Sequence, residues 1–228
     1  MNKKLLPVIH FKDLKTTEYN VKMCIEAQCA GVFIINMDCE STKLNSALYL
    51  AKNMGGHNFF VGVNRLGVDN KALVYHISSD QLVDGYWVDN PGISSLGTKE
   101  CTIDLAEICD RRKIMDPDFK FYGSVAFKTQ KVDPNPVDAA ILAKGLNWIP
   151  TTSGSATGVP ADLEKIKSMK KGLGNYPLAI ASGITPENVD LYLPYVDHFL
   201  VATGISKDFY NFDINKLNSL STKINNYD

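Results

Sequence analysis

The chain has 228 residues, of which 45% are hydrophobic and 21% are charged, and its formal net charge is −1. This length is typical of one (β/α)8 barrel, and this composition is typical of a globular protein with a substantial core. Because acidic and basic residues nearly balance, nothing predicts a nucleic-acid partner or an anionic-membrane surface.

Short apolar or β-branched runs alternate along the chain with longer segments of helical period, which is typical of repeated βα units and a parallel sheet. We predict an α/β fold in which eight such pairs close into one TIM barrel domain over residues 1–228. A doubly wound open sheet is the alternative. The predicted strands are Leu5–Phe11, Gly31–Met37, Asn58–Asn64, Gly85–Asp89, Lys120–Lys128, Trp148–Thr152, Pro177–Ser182 and His198–Thr203.

Helices are predicted between the strands, and two of them carry an apolar stripe at positions i, i+3, i+4 and i+7 that we expect to face the sheet. The stripes are formed by Leu44, Ala47, Leu48 and Ala51, and by Val189, Tyr192, Leu193 and Val196. Thr185, Pro186 and Glu187 match an N-cap, a first-turn proline and a first-turn acid. They predict a helix that begins directly after Ile184. The third helix, around Ala72–Ser79, is short.

Small residues follow the seventh and eighth predicted strands, in Ser182-Gly183-Ile184-Thr185 and in Ala202-Thr203-Gly204-Ile205-Ser206. Small side chains let backbone N–H groups approach an anion, and a helix N-terminus adds a favourable dipole. Barrels commonly bind phosphate after these two strands. The residues predicted to hold a phosphate are Ser182, Gly183, Thr203 and Gly204. Ordinary tight turns are the alternative, because Ser-Gly and Thr-Gly are common turn residues.

A third stretch of small residues, Thr151–Gly158, follows the sixth predicted strand. Its hydroxyl groups and small side chains would let a ligand lie against the rim of the barrel. We therefore predict that Gly154 and Ser155 cover the ligand, with a mobile surface loop as the alternative.

Polar residues at the carboxyl ends of the other strands are the candidates for catalysis, because barrels build their active sites there. They are His10, Lys12 and Asp13, Asn36 and Asp38, Asn64 and Arg65, Asp89 and Asn90, and Lys128. From these we select Lys128, Asp89, Asn64 and His10. The other histidines are expected to be structural, because they lie at strand starts or in a helix: His57, His76 and His198.

Lys128 ends the fifth predicted strand, where alternation places it on the same face as Tyr122 and Ser124. On an inward face this lysine would be partly desolvated and could serve as an electrostatic anchor, a general acid/base or an imine-forming amine. A solvated lysine at a strand end is the alternative. Asp89 could orient Lys128 or bind sugar hydroxyls, although Asp89–Gly92 is also typical of a turn.

The five cysteines show no CxxC pair, so we expect reduced, packing thiols and predict neither a metal site nor a cofactor. The first apolar run, Leu5–Ile9, is too short for a signal sequence or a spanning helix, and we expect a cytoplasmic protein without an integral membrane segment. A homodimer is expected because homo-oligomers are common among enzymes of this size.

The same stretches resemble the BtpA family of phosphate-binding barrels. The resemblance is most specific over the last third of the chain, and the segments that carry it are Ser153–Gly158, Ala161–Glu164, Ser182–Val189, Val201–Gly204, Gly62–Leu66 with Asp69 and Asn70, and Val125–Lys128. It implies a barrel, a phosphate site in the final quarter and a link to photosystem I assembly. It does not supply a defined reaction.

These features together predict an enzyme that acts on a phosphorylated sugar or nucleotide. Lys128 and Asp89 would be its acid/base pair and Asn64 a positioning group. Isomerisation, lyase chemistry and glycosidic or ribosyl transfer all remain open. The alternative is a non-catalytic, BtpA-like assembly or regulatory protein whose barrel pocket senses a ligand.

Overall fold

The computed structural model describes residues 3–36 and 41–227, and eight of its strands form a closed parallel barrel. The barrel strands are β1 (Lys4–Phe11), β2 (Gly31–Asn36), β3 (Phe60–Asn64), β4 (Gly85–Val88), β5 (Lys120–Ser124), β6 (Ile149–Thr152), β7 (Ala179–Ala181) and β8 (His198–Val201). Pairing of β1 with β8 closes the barrel, with Lys4 opposite His198 and Pro7 opposite Val201. The predicted (β/α)8 class is confirmed, and the open-sheet alternative is wrong because both edges of the sheet are paired.

Seven α-helices surround the barrel in the described ranges. They are α1 (Leu14–Glu26), α2 (Ser41–Gly55), α3 (Asn70–Ser79), α4 (Glu100–Met115), α5 (Pro136–Gly145), α6 (Leu163–Leu173) and α7 (Ile214–Asn225). Short polar side chains cap several of them, since Asp13, Asp69 and Asp213 each accept a hydrogen bond from a first-turn backbone N–H. No described helix combines the length and the apolar character needed to cross a membrane.

The α-helix predicted to begin at Thr185 is wrong. This segment forms turns and a single 3-10 turn at Val189–Leu191. The Asn188 side chain accepts a hydrogen bond from the Thr185 N–H at 2.9 Å and donates one to the Gly183 carbonyl at 2.7 Å. Thr185 still caps this segment as predicted, because its hydroxyl accepts the Glu187 N–H at 3.2 Å and its carbonyl accepts the Val189 N–H at 3.1 Å. The chain does not continue from this turn as a regular α-helix. The predicted apolar stripe is nevertheless buried, because it packs in the core around the barrel.

The predicted strand ends also need correction. β5 ends at Ser124 and not at Lys128, because Ala126 adopts a left-handed backbone conformation with φ of +46°. β8 ends at Val201, because Thr203–Ile205 forms a 3-10 turn. The predicted strand end Met37 and the candidate Asp38 lie outside the described residues.

The barrel interior is filled by side chains that alternate along the strands. Phe33, Phe60 and Tyr122 form an aromatic layer, in which the ring centroids of Phe33 and Tyr122 lie 5.1 Å apart. A larger apolar layer lies between the strands and the helices. The interior is thus a packed core, and open space lies only towards its two ends.

Asp197 connects the start of β8 to neighbouring residues through two ion pairs and a backbone hydrogen bond. Its carboxylate, 4% exposed as a residue, pairs with Lys3 at 3.2 Å and with Lys170 at 2.7 Å and accepts the Leu178 N–H at 3.0 Å. Burial opposes ionisation, but these hydrogen bonds and the two ammonium groups together hold the pKa of Asp197 below its ordinary value of 3.8. The carboxylate therefore stabilises the fold in its charged form.

We predict that Asp197→Asn lowers the free energy of unfolding at neutral pH by about 3 kcal/mol, because it leaves two partly buried ammonium groups without their counter-charge. The pKa of Asp197 is depressed in the folded state, so its contribution is present above pH 3.8 and is lost as the pH falls through the folded-state value. Urea unfolding across this range measures both effects. The control Asp190→Asn removes the more exposed pair with Lys223 and should cost less than about 1 kcal/mol. Equal losses in the two variants would contradict the assignment.

Candidate functional site

A cavity of about 270 Å³ opens at the carboxyl ends of the strands. Its floor includes Val8, Trp87 and Leu200 from inside the barrel. Seven of the ten predicted site residues line it: His10, Asp89, Lys128, Ser182, Gly183, Thr203 and Gly204. The predicted phosphate loops and three of the four selected catalytic candidates therefore surround one space.

The loops after β7 and β8 are in direct backbone contact. A Cβ atom on Gly204 would lie 1.8 Å from the Ile184 carbonyl oxygen, so only glycine fits there. At the end of β7, Ser182 and Gly183 both have positive φ, of +93° and +73°. This conformation is strained for a serine, and such strain is common at ligand sites.

Several polar groups in these two loops have unused hydrogen-bonding capacity. In the described part of the chain, the N–H groups of Gly183 and Gly204 donate no hydrogen bond. The buried Ser182 hydroxyl likewise has no partner among these residues. Both glycines line the cavity, and small loops of this kind allow an anion to approach the backbone closely.

Gly154 and Ser155 do not line this cavity, contrary to the prediction that they cover the ligand; they line a neighbouring one. The reason is packing. A Cβ atom on Gly154 would lie 2.1 Å from the Val159 carbonyl oxygen, and one on Gly183 would lie 2.4 Å from the Pro160 backbone. Gly154 therefore lets its loop fold onto Gly183, and Thr157 is the residue of that loop that reaches the cavity.

Lys128 reaches the cavity from a loop and not from a strand. Its backbone N–H donates to the Ser153 hydroxyl at 2.9 Å, just after the left-handed turn at Ala126. The Gln130 side-chain amide donates to the carbonyl oxygens of Asp89 at 3.0 Å and Ser124 at 2.8 Å. Gln130 thus joins the ends of β4 and β5 and fixes the loop that carries the lysine.

Asp89 and Lys128 bring opposite charges into the cavity. Burial raises the pKa of Asp89, while the hydrogen bond that Asn64 donates to it at 2.9 Å and the charge of Lys128 oppose this rise. Burial lowers the pKa of Lys128, and Asp89 opposes that shift. Asn64 is buried below the cavity and acts on it through Asp89.

His10 is held by the segment that follows β8. Its Nδ1 lies 2.9 Å from the Phe209 carbonyl oxygen, and the two rings stack with centroids 4.3 Å apart. Because a carbonyl oxygen only accepts, Nδ1 carries the proton and Nε2 is the unprotonated nitrogen of the neutral ring. Burial lowers the pKa of His10, the Phe209 carbonyl opposes this, and Lys128 adds to it.

Other polar candidates at the strand ends have structural roles. Asp13 caps α1, and Asn36 exchanges two hydrogen bonds with the Leu66 backbone. Arg65 pairs with Asp80 at 2.9 Å, away from the cavity. Among the described residues, no group of three or more His, Cys, Asp or Glu side chains is arranged to hold a metal ion.

Sequence reasoning missed Gln130, Phe209, Trp87 and Thr157. Gln130 and Thr157 lie in irregular loops, where no periodicity predicts which side chains turn inward. Phe209 lies in a segment that returns across the barrel mouth to His10. Trp87 could have been found, because it shares the parity of Asp89 on β4 and therefore faces inward.

Comparison with known proteins supports the fold. No family model matches the chain. An uncharacterized protein of Thermococcus kodakarensis is 29% identical over 104 residues, which cover 45% of this chain and 40% of that protein. The chain thus matches about two-fifths of the length of this curated relative.

Several solved barrels superpose on nearly the whole chain. Phosphoribosyl anthranilate isomerase from Thermotoga maritima has a TM-score of 0.66 at 11% identity, covering 98% of both chains. (S)-3-O-geranylgeranylglyceryl phosphate synthase from Thermoplasma acidophilum, in complex with its substrate sn-glycerol-1-phosphate, has 0.67 at 13% identity, covering 99% of this chain and 94% of that one. Orotidine 5′-monophosphate decarboxylase from Methanocaldococcus jannaschii has 0.65 at 13% identity and covers all of both chains. At these identities the likeness establishes the TIM-barrel fold alone.

We predict that Gly204→Ala destabilises the protein by about 1–3 kcal/mol, because the added methyl group forces the loops after β7 and β8 apart. Gly145→Ala is the matched control, since a Cβ atom there meets no atom within 4 Å. Urea unfolding compares the two variants with the unchanged protein. An equally small effect of both substitutions would show that the loops are not in close contact in solution.

Proposed function

We propose that this protein is an enzyme acting on a phosphorylated sugar or nucleotide. The observation that carries the proposal is the single cavity in which the unbonded amides of Gly183 and Gly204 lie with His10, Asp89 and Lys128. The two glycine amides can hold an anion, and the three polar side chains can transfer protons. The three solved barrels above support the proposal, because their names or bound substrates include phosphorylated compounds.

The phosphate group would bind at the loops after β7 and β8. The amides of Gly183 and Gly204 and the hydroxyl groups of Ser182 and Thr203 would donate to its oxygens. The cavity of about 270 Å³ is small, which suits a sugar phosphate better than a long chain. With the phosphate so placed, the rest of the substrate would extend towards the polar residues at the ends of β1, β4 and β5.

Proton transfer would be shared among Lys128 and Asp89, the acid/base pair expected from the sequence, and His10. The unprotonated Nε2 of His10 can take a proton, and the Lys128 ammonium can donate one or stabilise a developing negative charge. Asp89, positioned by Asn64, would accept hydrogen bonds from substrate hydroxyl groups. Isomerisation, lyase chemistry, and glycosidic or ribosyl transfer all use such groups. A lowered pKa also makes Lys128 a candidate for imine formation with a carbonyl substrate.

Other sequence predictions belong to this proposal. They are membership of the BtpA family, one domain over residues 1–228, a cytoplasmic location, a homodimer and the absence of a nucleic-acid partner. The resemblance to BtpA proteins rests on the segments already named. A ligand-sensing regulatory protein is the competing hypothesis. Turnover assays with any ligand that binds distinguish the enzyme from the sensor.

We predict that a phosphorylated sugar or nucleotide raises the melting temperature in a thermal-shift screen. A ligand at about 100 times its Kd stabilises the folded state by about 2.7 kcal/mol. Ribose 5-phosphate and free ribose form a matched pair that isolates the phosphate group. The absence of a shift with every phosphorylated compound in the screen would contradict the proposal.

We also predict a bell-shaped pH dependence of turnover for the substrate so identified. Activity should rise as His10 loses its proton, at a pH below the ordinary 6.5, and fall as Lys128 loses its proton, at a pH below the ordinary 10.5. Lys128→Arg should move the alkaline limb to higher pH, and Lys128→Ala should lower kcat by about 100-fold or more. Unchanged turnover in Lys128→Ala would exclude the assigned role.

A further inference from the structure

A second, larger cavity of about 690 Å³ lies at the opposite end of the barrel, where the strands begin. Lys4, Lys120 and His198 line it, and each is the first residue of its strand. On each of these three strands, the side chain two positions further along belongs to the hydrophobic cluster inside the barrel. By strand alternation the three residues therefore also face inward, and they form the polar bottom layer of the interior.

The lysines that line this cavity share it with no carboxylate among the lining residues. Lys4, Lys113 and Lys120 line the cavity, and no aspartate or glutamate does. Within the ranges 3–36 and 41–227, none of these lysines forms a salt bridge. Asp197, directly before His198, already pairs with Lys3 and Lys170. Burial lowers the pKa of Lys113, Cys109 and Asp110 oppose this shift, and Lys120 adds to it. The Lys113 ammonium donates to the Asn147 carbonyl at 2.6 Å, at the edge of the same cavity.

His198 adds a hydrogen-bond donor to the same space. The residue is only 7% exposed, and its Nδ1 lies 3.0 Å from the Tyr122 hydroxyl oxygen. In the described part of the chain that hydroxyl has no other partner, so it donates to Nδ1 and the proton of the neutral ring lies on Nε2. This Nε2–H has no hydrogen-bond acceptor among the described residues. Burial, reinforced mainly by Lys4, lowers the pKa of His198 to about 3, so the ring is neutral at pH 7.

The remaining walls of the cavity are largely apolar. Phe121, Tyr176, Pro117 and Pro177 line it together with the lysines. Such a combination suits a molecule that has charged groups at one end and a carbon skeleton or ring at the other. This cavity is distant from the cavity at the mouth, because the length of the strands lies between them. The six-residue step from Lys4 to His10 along β1 spans about 20 Å.

We propose that the amino-end cavity is a second ligand site, which binds a small molecule carrying at least two negative charges on phosphate or carboxylate groups. Lys4, Lys113 and Lys120 supply the counter-charge, and the His198 Nε2–H donates a directed hydrogen bond to the anion. This site is separate from the cavity at the mouth, and its existence does not depend on the proposed enzymatic function.

The test uses the histidine rings of the intact protein as reporters in two-dimensional ¹H–¹⁵N NMR spectra. The chain has four histidines, and His10 and His198 mark the two ends of the barrel. Pyrophosphate is the first probe and citrate is the second, so that phosphate and carboxylate recognition are distinguished. We expect at least one of them to shift the His198 ring signals in a saturable manner. If neither probe moves the His198 signals, the proposal is wrong, whatever His10 does.

Variants locate the binding groups. Lys4→Gln combined with Lys120→Gln should weaken the His198 response at least tenfold in Kd, whereas Lys128→Gln at the mouth and the exposed Lys71→Gln should leave it unchanged. Lys113→Gln, on the surface of α4, provides a second test if the double variant does not fold. An unchanged Kd in either folded amino-end variant, or an equal loss in Lys71→Gln, would overturn the assignment.

Discussion

Close backbone contact among three loops is the constraint on which the candidate site depends. Gly204 packs against the Ile184 carbonyl, Gly183 packs against Pro160, and Gly154 packs against the Val159 carbonyl. Each contact excludes a Cβ atom, so the loops after β6, β7 and β8 form one continuous backbone surface. Two glycines of this surface, Gly183 and Gly204, line the cavity at the barrel mouth, and in the described ranges their amides donate no hydrogen bond.

The barrel and the small-residue loops after β7 and β8 could be predicted because both depend on local patterns. Apolar runs mark the strands, and parallel pairing brings all the carboxyl ends to one edge, so His10, Asp89 and Lys128 meet. The route of each loop could not be predicted. The left-handed backbone at Ala126 and the bonds that Asn188 makes to Gly183 and Thr185 follow no apolar periodicity, so the pattern of apolar residues does not predict them.

The sequence also could not show the chemical difference between the two ends of the barrel. His198 begins a strand and is hydrogen-bonded to the buried Tyr122, and the space that it shares with three lysines has no carboxylate among its lining residues. At the mouth, in contrast, Asp89 opposes the charge of Lys128. The net charge of the chain is near zero, yet the fold gathers several positive side chains at one end of the barrel. Net charge alone does not predict this local excess, because the residues that form it are far apart along the chain.

The hydrogen bond between His10 and the Phe209 carbonyl links the chemistry of the mouth to a surface segment. While the Phe209 carbonyl accepts a hydrogen bond from His10 Nδ1, the imidazole keeps one tautomer, in which Nε2 is unprotonated and can accept a proton. Undocking of that segment removes both the acceptor and the stacked ring, so the imidazole can rotate and exchange its tautomer. The tautomer of His10 is thereby coupled to the position of Phe209, a residue far from it along the chain.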